Sequence, residues 1–386
     1  MVRNLHGILV YPLFVVLLFV LGCRQTVRLA GSVVHQNPLR RVGPSGNWTF
    51  NGLDARIPPT FRPGSYASAT AGVTFLDPSD LGPHRYRFGA SERSGIVYTC
   101  RAGHIDIAHV RKGIDWTGHL AAVVLDHMEA GRTTFQFKQI EPCRYRVELT
   151  YPDEWNDLDG RRRERIAREI ACDLGAYLAW TGLTWHEILT WFGYRPRPWQ
   201  SEFPSAFSWE DSYSNLLGAH VAVAALRDES RPFEEGATDS LDRWLVELGA
   251  QPGETAGEIT AMMRGQWFST QGLFTVIHER NFDIGLSGGY VRPRLVPDVA
   301  VCGSPAPWPL AVPRLDSLAR HGFSMRLEIV PRVWEQRRIL AAVSSESGEA
   351  TRTLDPAIHF AMIMDHIEQD AVARGILCPD RRVSAQ

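Results

Sequence analysis

Ile8 to Leu21 runs for fourteen residues without a charge, and this run decides where the rest of the chain must fold. A helix needs about 20 apolar residues to cross a bilayer, so the run is too short for a span and suits the apolar region of a secretory signal. Arg3 gives the positive start that such a signal requires. Everything after the run is therefore expected outside the cytoplasm, where cysteines are free to oxidise. Removing 22 of the 386 residues leaves 364. That length buries a large core, as one big domain or two interlocked ones.

The run ends in Val20-Leu21-Gly22-Cys23, which resembles the lipobox of bacterial lipoproteins, although Leu21 is bulkier than the usual residue there. The resemblance implies a signal peptide over 1–22 and a lipid on Cys23. Arg24, rather than aspartate, after the cysteine implies sorting to the outer membrane, with the domain facing the periplasm. Several acyl chains, at about 0.8 kcal/mol per buried methylene, hold a soluble domain firmly to a membrane. The competing reading is an uncleaved anchor helix. Residues 23–65, rich in Pro, Gly, Arg and Asn, read as a lipidated tether and irregular entry segment, and 66–378 as one globular domain.

Net charge is −2 with 41 basic and 43 acidic side chains. The basic residues form no stripe beyond Arg161 to Arg163, so the expected partners are the membrane and an envelope substrate, with no nucleic acid among them. Past Cys23 stand Cys100, Cys143, Cys172, Cys302 and Cys378. An odd count leaves at least one thiol unpaired, and the absence of C-x-x-C excludes a zinc knuckle or a thioredoxin-like site. A strand before a helix and a hairpin after it suggest Cys100–Cys143 as a disulfide.

Periodicity predicts a helix-rich α+β domain with small hairpin and sheet elements. A strand is expected at Ile96 to Cys100, and a helix from Ile107 to Met128 that Gly113 threatens to break. A hairpin is expected at Thr133 to Lys138 and Arg144 to Tyr151. Further helices are expected at Arg161 to Trp180, Thr184 to Phe192, Ser208 to Arg227, 240–249 and 255–264. A strand should run from Phe323 to Val330. The last helix is bounded by Asp355 as N-cap, Pro356 at its first position and Gly375 beyond its end.

Three segments concentrate chemistry. In Gly103-His104-Ile105-Asp106-Ile107-Ala108-His109, an extended start puts His104 and Asp106 on one side. A helix from Asp106 then returns His109 over that face. Imidazoles and a carboxylate are ligands that zinc or another divalent metal accepts. Asp106 also makes an ordinary N-cap. In Thr184-Trp185-His186-Glu187, His186-Glu187 resembles half of the zincin motif H-E-x-x-H, with Thr190 where the second histidine would stand. Glu187 is a candidate general base, and Thr184-x-x-Glu187 reads equally as a capping box. In Ser208 to Gly218, Ser208 reads as N-cap. Asp211 and Asn215, four apart, face one side and would serve a ligand or hold a histidine. His104, Asp106, His109 and His186 are thus the metal-ligand candidates; Asp106, His109, His186 and Glu187 are expected to line one pocket, with His104 and Asp211 at its edge.

The blocks G-H-I-D-I-A-H-V-R, T-W-H-E-I-L-T-W-F-G, E-D-S-Y-S-N-L-L-G and N-F-D-I-G-L resemble an uncharacterised family of bacterial lipoproteins known only as a domain of unknown function. The resemblance runs from about residue 60 to 375. It implies a single envelope domain and supplies no activity. No phosphate-binding glycine loop of Walker or Rossmann type occurs. Two functional classes remain: a metal-dependent hydrolase acting on an envelope substrate, and a non-catalytic envelope scaffold or binding lipoprotein. A cysteine peptidase built on Cys100 and His104 is the third.

Overall fold

The computed structural model describes residues 48–62, 74–195, 201–271, 274–348 and 351–377. The signal, Cys23 and Cys378 lie outside these residues, and no helix among them is long and apolar enough to cross a membrane. Strands β1 (Ile96–Thr99) and β2 (Gly103–Asp106) pair antiparallel. The chain turns at Asp106 directly into helix α1 (Ile107–Glu129), and the Asp106 carboxylate accepts the Ala108 amide at 2.7 Å, the expected cap. Residues on every side of α1 are buried, as befits the central helix of a large core.

Next comes the predicted hairpin, β3 (Thr134–Phe137) and β4 (Arg144–Thr150). In β4, Tyr145, Val147 and Leu149 are buried while Arg146, Glu148 and Thr150 are exposed, the period of two that fixes register. Helix α2 (Gly160–Trp191) follows, capped by Asp159. Its 32 residues replace the two helices expected at Arg161 to Trp180 and Thr184 to Phe192. Gly182 does not break it: a mid-helix glycine costs about 1 kcal/mol, while Leu178, Leu183, Trp185, Ile188 and Leu189 around it are all buried. The Thr184–Glu187 capping box therefore does not form.

Helix α3 spans Asp211–Arg227, three residues later than expected, because the Ser208 hydroxyl turns to Glu210 Oε1 at 2.9 Å instead of capping the backbone. Helices α4 (Phe233–Glu247) and α5 (Gly253–Met262) come next, then two strand pairs, β5 (Phe268–Gln271) with β6 (Phe274–Ile277) and β7 (Tyr290–Val291) with β8 (Leu310–Ala311). After α6 (Asp316–Arg320), strand β9 (Ser324–Val330) joins β4 to give a three-stranded antiparallel sheet in the order β3-β4-β9. Helices α7 (Gln336–Ser347) and α8 (Pro356–Ala373) close the chain. The α8 cap is Asp355, and its buried stripe holds Phe360, Ile363, Met364 and Ile367. The architecture is the expected α+β domain.

α1 packs against both α2 and α3. Its crossing with α3 is so close that a Cβ on Gly113 would lie 2.4 Å from the Asn215 carbonyl, and one on Gly218 would lie 2.1 Å from the Val110 carbonyl. Gly113 is thus the contact that brings α3 onto α1, and the helix runs through it unbroken. The irregular entry segment is packed as well: Phe50 and Leu53 are buried. Arg62 joins a sealed ion-pair network, with Nε 2.6 Å from Asp115 and Nη1 2.8 Å from Glu92. Arg111 reaches the other Glu92 oxygen at 2.9 Å, and His84 lies 3.2 Å from Asp115.

Cys100 pairs with Cys302, their Cα atoms 5.2 Å apart, and not with Cys143. The hairpin turn carries Cys143 into the core, where its sulfur accepts the Trp185 indole N–H at 3.3 Å. Cys143 and Cys172 are buried free thiols.

Candidate functional site

Three helices converge on one polar cluster. The cap at Asp106 sets the first turn of α1, so His109 comes back over Asp106, with Nδ1 3.0 Å from Asp106 Oδ2. The first residue of α3 brings Asp211 Oδ1 to 3.2 Å from the same nitrogen. From α2, Glu187 enters the cluster, and its Oε2 accepts the Phe207 amide at 2.8 Å. One ligand atom from each of His109, Glu187 and Asp211 lies within 4.8 Å of the others. Ser214, one turn further along α3, accepts the Asp106 amide through its hydroxyl at 3.0 Å and ties α3 to the cap.

All three residues are buried: His109 is 8 % exposed, Glu187 3 % and Asp211 4 %. Glu210 stands beside Asp211, and its Oε2 has no partner among the described residues. Four carboxyls therefore crowd a nearly dry place. Burial, with Glu187 and Asp106 nearby, pushes Asp211 up to about 7 against the pull of His109. Burial together with Asp211 and Asp106 holds Glu210 well above the carboxylate range. Asp211 and Glu187 act on the buried Arg280, which burial lowers to about 10. Its guanidinium donates to the carbonyls of Ala206 and Pro204 rather than to a carboxylate. Such a set of oxygens and one imidazole could hold a divalent cation.

The other candidates lie apart from the cluster. His104 belongs to a smaller core with Tyr98, Trp209 and Trp267, whose ring centroids lie 5.1, 5.7 and 6.1 Å from its own. Its Nε2 donates to the Thr260 hydroxyl at 2.8 Å, and that hydroxyl in turn donates to the Ala256 carbonyl. Burial drives it down to about 3, so it is a neutral core histidine and does not join His109. That cage, and the engagement of Cys100 in a disulfide, also remove the Cys100–His104 peptidase.

His186 turns outward from Glu187 to the β3–β4 turn, where Glu141 Oε1 lies 2.5 Å from its Nδ1. Burial disfavours its charge, but Glu141 outweighs burial and pushes it up to about 9. Asn215 is buried at the α1–α3 crossing with its side-chain oxygen unpartnered. Asp106 orients His109 and caps α1. Asp211, expected at the edge, is central. Two hollows of the surface, one bounded by Phe50, Arg168 and Phe233 and one by Leu53, Ile57 and Tyr86, contain none of these residues.

Sequence reasoning missed Glu141, Glu210 and Arg280. Glu141 sits in a turn 45 residues from its histidine, and nothing local signals the pairing. Glu210 was legible only as a first-turn acid favoured by the helix dipole.

A family model described as protein of unknown function (DUF4056) matches residues 75–287. This is more than half of the chain, and the chain belongs to that family. The matched stretch contains His109, Glu187 and Asp211. No curated protein and no solved structure matches the chain.

Proposed function

We propose that this DUF4056 protein is a metal-dependent hydrolase of the cell envelope, with a divalent cation, zinc by preference, held by His109, Glu187 and Asp211. The observation that carries the reading is the convergence of those three ligand atoms within 4.8 Å, from three different helices, in a buried place. Held by these three residues, a zinc ion would supply an acidified water as nucleophile near neutral pH. Asp106, 3.0 Å from His109 Nδ1, would orient the imidazole. Glu187, expected from its sequence as the free base, would here serve as a ligand. The envelope setting rests on Arg3, the run to Leu21 and Cys23. The Cys100–Cys302 disulfide supports an oxidising compartment.

A scaffold or binding lipoprotein is the second reading. It is favoured by the local satisfaction of Asp106 and Glu187, which accept backbone amides of Ala108 and Phe207. Metal titration decides between them. The hydrolase reading expects one zinc per chain, lost in both His109→Ala and Asp211→Asn while circular dichroism shows the fold retained. Zinc at about 100 times its dissociation constant should stabilise the wild type by about 2.7 kcal/mol. A wild-type protein that takes up no divalent metal ends the reading in favour of the scaffold.

A further inference from the structure

Of the 41 basic residues, all are arginine except Lys112 and Lys138. Lys138 is exposed beside β3. Lys112 sits on α1, one turn beyond His109, and is 5 % exposed. The fold handles its other buried cations differently. Arg62 and Arg111 are paired with Asp115 and Glu92, and Arg280 donates to backbone carbonyls. Lys112 has no hydrogen bond or ion pair among the described residues. α1 packs against α2, and the charge of Lys112 opposes protonation of His186, the neighbour of Glu187. A nearly dry ammonium without a partner is costly unless something anionic comes to it. The ammonium is also a compact charge with three rotatable donors, suited to a single incoming oxygen where the flat fork of arginine does not fit.

We infer that Lys112 is the anion-holding corner of the site, receiving a carboxylate or phosphate oxygen of the substrate while the bond to be cleaved lies over His109, Glu187 and Asp211. The inference rests on the hydrolase reading for the second half of that statement and on Lys112 alone for the first.

With only two lysines, amine acetylation of the intact protein followed by mass spectrometry reads Lys112 against Lys138 as an internal control. The probes are inorganic phosphate and acetate, applied to metal-free protein. Either probe, at about ten times its dissociation constant, should slow acetylation of Lys112 about tenfold and leave Lys138 unchanged. Protection by phosphate alone identifies a phosphorylated substrate, and by acetate alone a carboxylated one. Lys112→Arg should weaken phosphate or acetate binding measured by calorimetry, and Lys112→Met should abolish it. If Lys112 does not react while Lys138 does, or reacts at the same rate with both probes present, the inference falls. Zinc titration of the same sample separates the two ideas. Protection without zinc binding removes the hydrolase and keeps the anion corner; zinc binding without protection does the reverse.

Discussion

At the residue scale, two histidines carry opposite pH signatures. His186 is pushed up to about 9 by Glu141 in spite of burial, above the ordinary 6.5. The folded state then holds its proton more tightly than the unfolded chain. That contribution is complete below about pH 6.5 and is lost as the pH rises through 9. Unfolding free energy from urea titration should fall by on the order of 1–3 kcal/mol between about pH 7 and 9.5. His186→Gln should flatten this alkaline slope, and an unchanged slope in the variant removes Glu141–His186 as its source. His104, driven down to about 3 by burial, works in the other direction. Its contribution is present above about 6.5 and lost as the pH falls toward 3. His119, lowered to about 4 by burial, adds to that acid loss. Asp211, raised to about 7, opposes it, since its contribution is present below the ordinary 3.8 and lost as the pH rises through 7. His104→Phe keeps the aromatic packing and leaves the Thr260 hydroxyl on Ala256, so it should lower the pH of acid unfolding. The Asp106 cap and its i+3 contact to His109 were legible from spacing because both are local. The arrival of Asp211 and Glu187 was not, because it depends on how three helices cross.

Among elements, the crossing of α1 and α3 carries the site. Both faces of the contact are backbone: a Cβ at Gly218 would meet the Val110 carbonyl at 2.1 Å and a Cβ at Gly113 the Asn215 carbonyl at 2.4 Å. Neither can swing aside as a side chain would, so the helices must separate. Gly218→Ala should lower stability by about 2 kcal/mol. It should also weaken any metal binding, because His109 and Asp211 sit on the two helices being spread. Gly160→Ala, with nothing within 4 Å, is the control and should be near neutral in a thermal melt. A Gly218→Ala variant that melts like the control shows that the crossing has slack. Gly113 illustrates what periodicity conveys and what it omits. The apolar pattern announced a helix there, and a glycine in the middle suggested a break, whereas the partner that makes the glycine useful lies 105 residues further on. The same limit merged two expected helices into α2, since a capping box and a mid-helix Thr-x-x-Glu read identically until burial is known.

On the scale of the whole molecule, the proposed lipid anchor and the folded part call for separate tests. Cys23→Ser should release the protein from the membrane fraction without changing its melting temperature. A variant that stays with membranes and keeps its first 22 residues is held by an uncleaved helix instead. Where the folded part begins is a separate matter, and composition alone placed it at 66. The structure has Phe50 and Leu53 in the core and Arg62 between Asp115 and Glu92. Arg62 and Arg111 together balance those two carboxylates, which are sealed from solvent. Removing one partner of a buried pair strands the other's charge and costs about 3–5 kcal/mol. A chain starting at Gly46 should therefore unfold cooperatively with full stability. One starting at Ala67 should lose that amount and, with it, the apolar cover over α1 and α4, where Gly52 and Phe233 meet. Arg62→Ala in the full chain isolates the charge term and should reproduce most of the loss by urea titration at pH 7. If the short chain is as stable as the long one, the entry segment is a passive strap and the network around Glu92 is held by Arg111 and His84 alone.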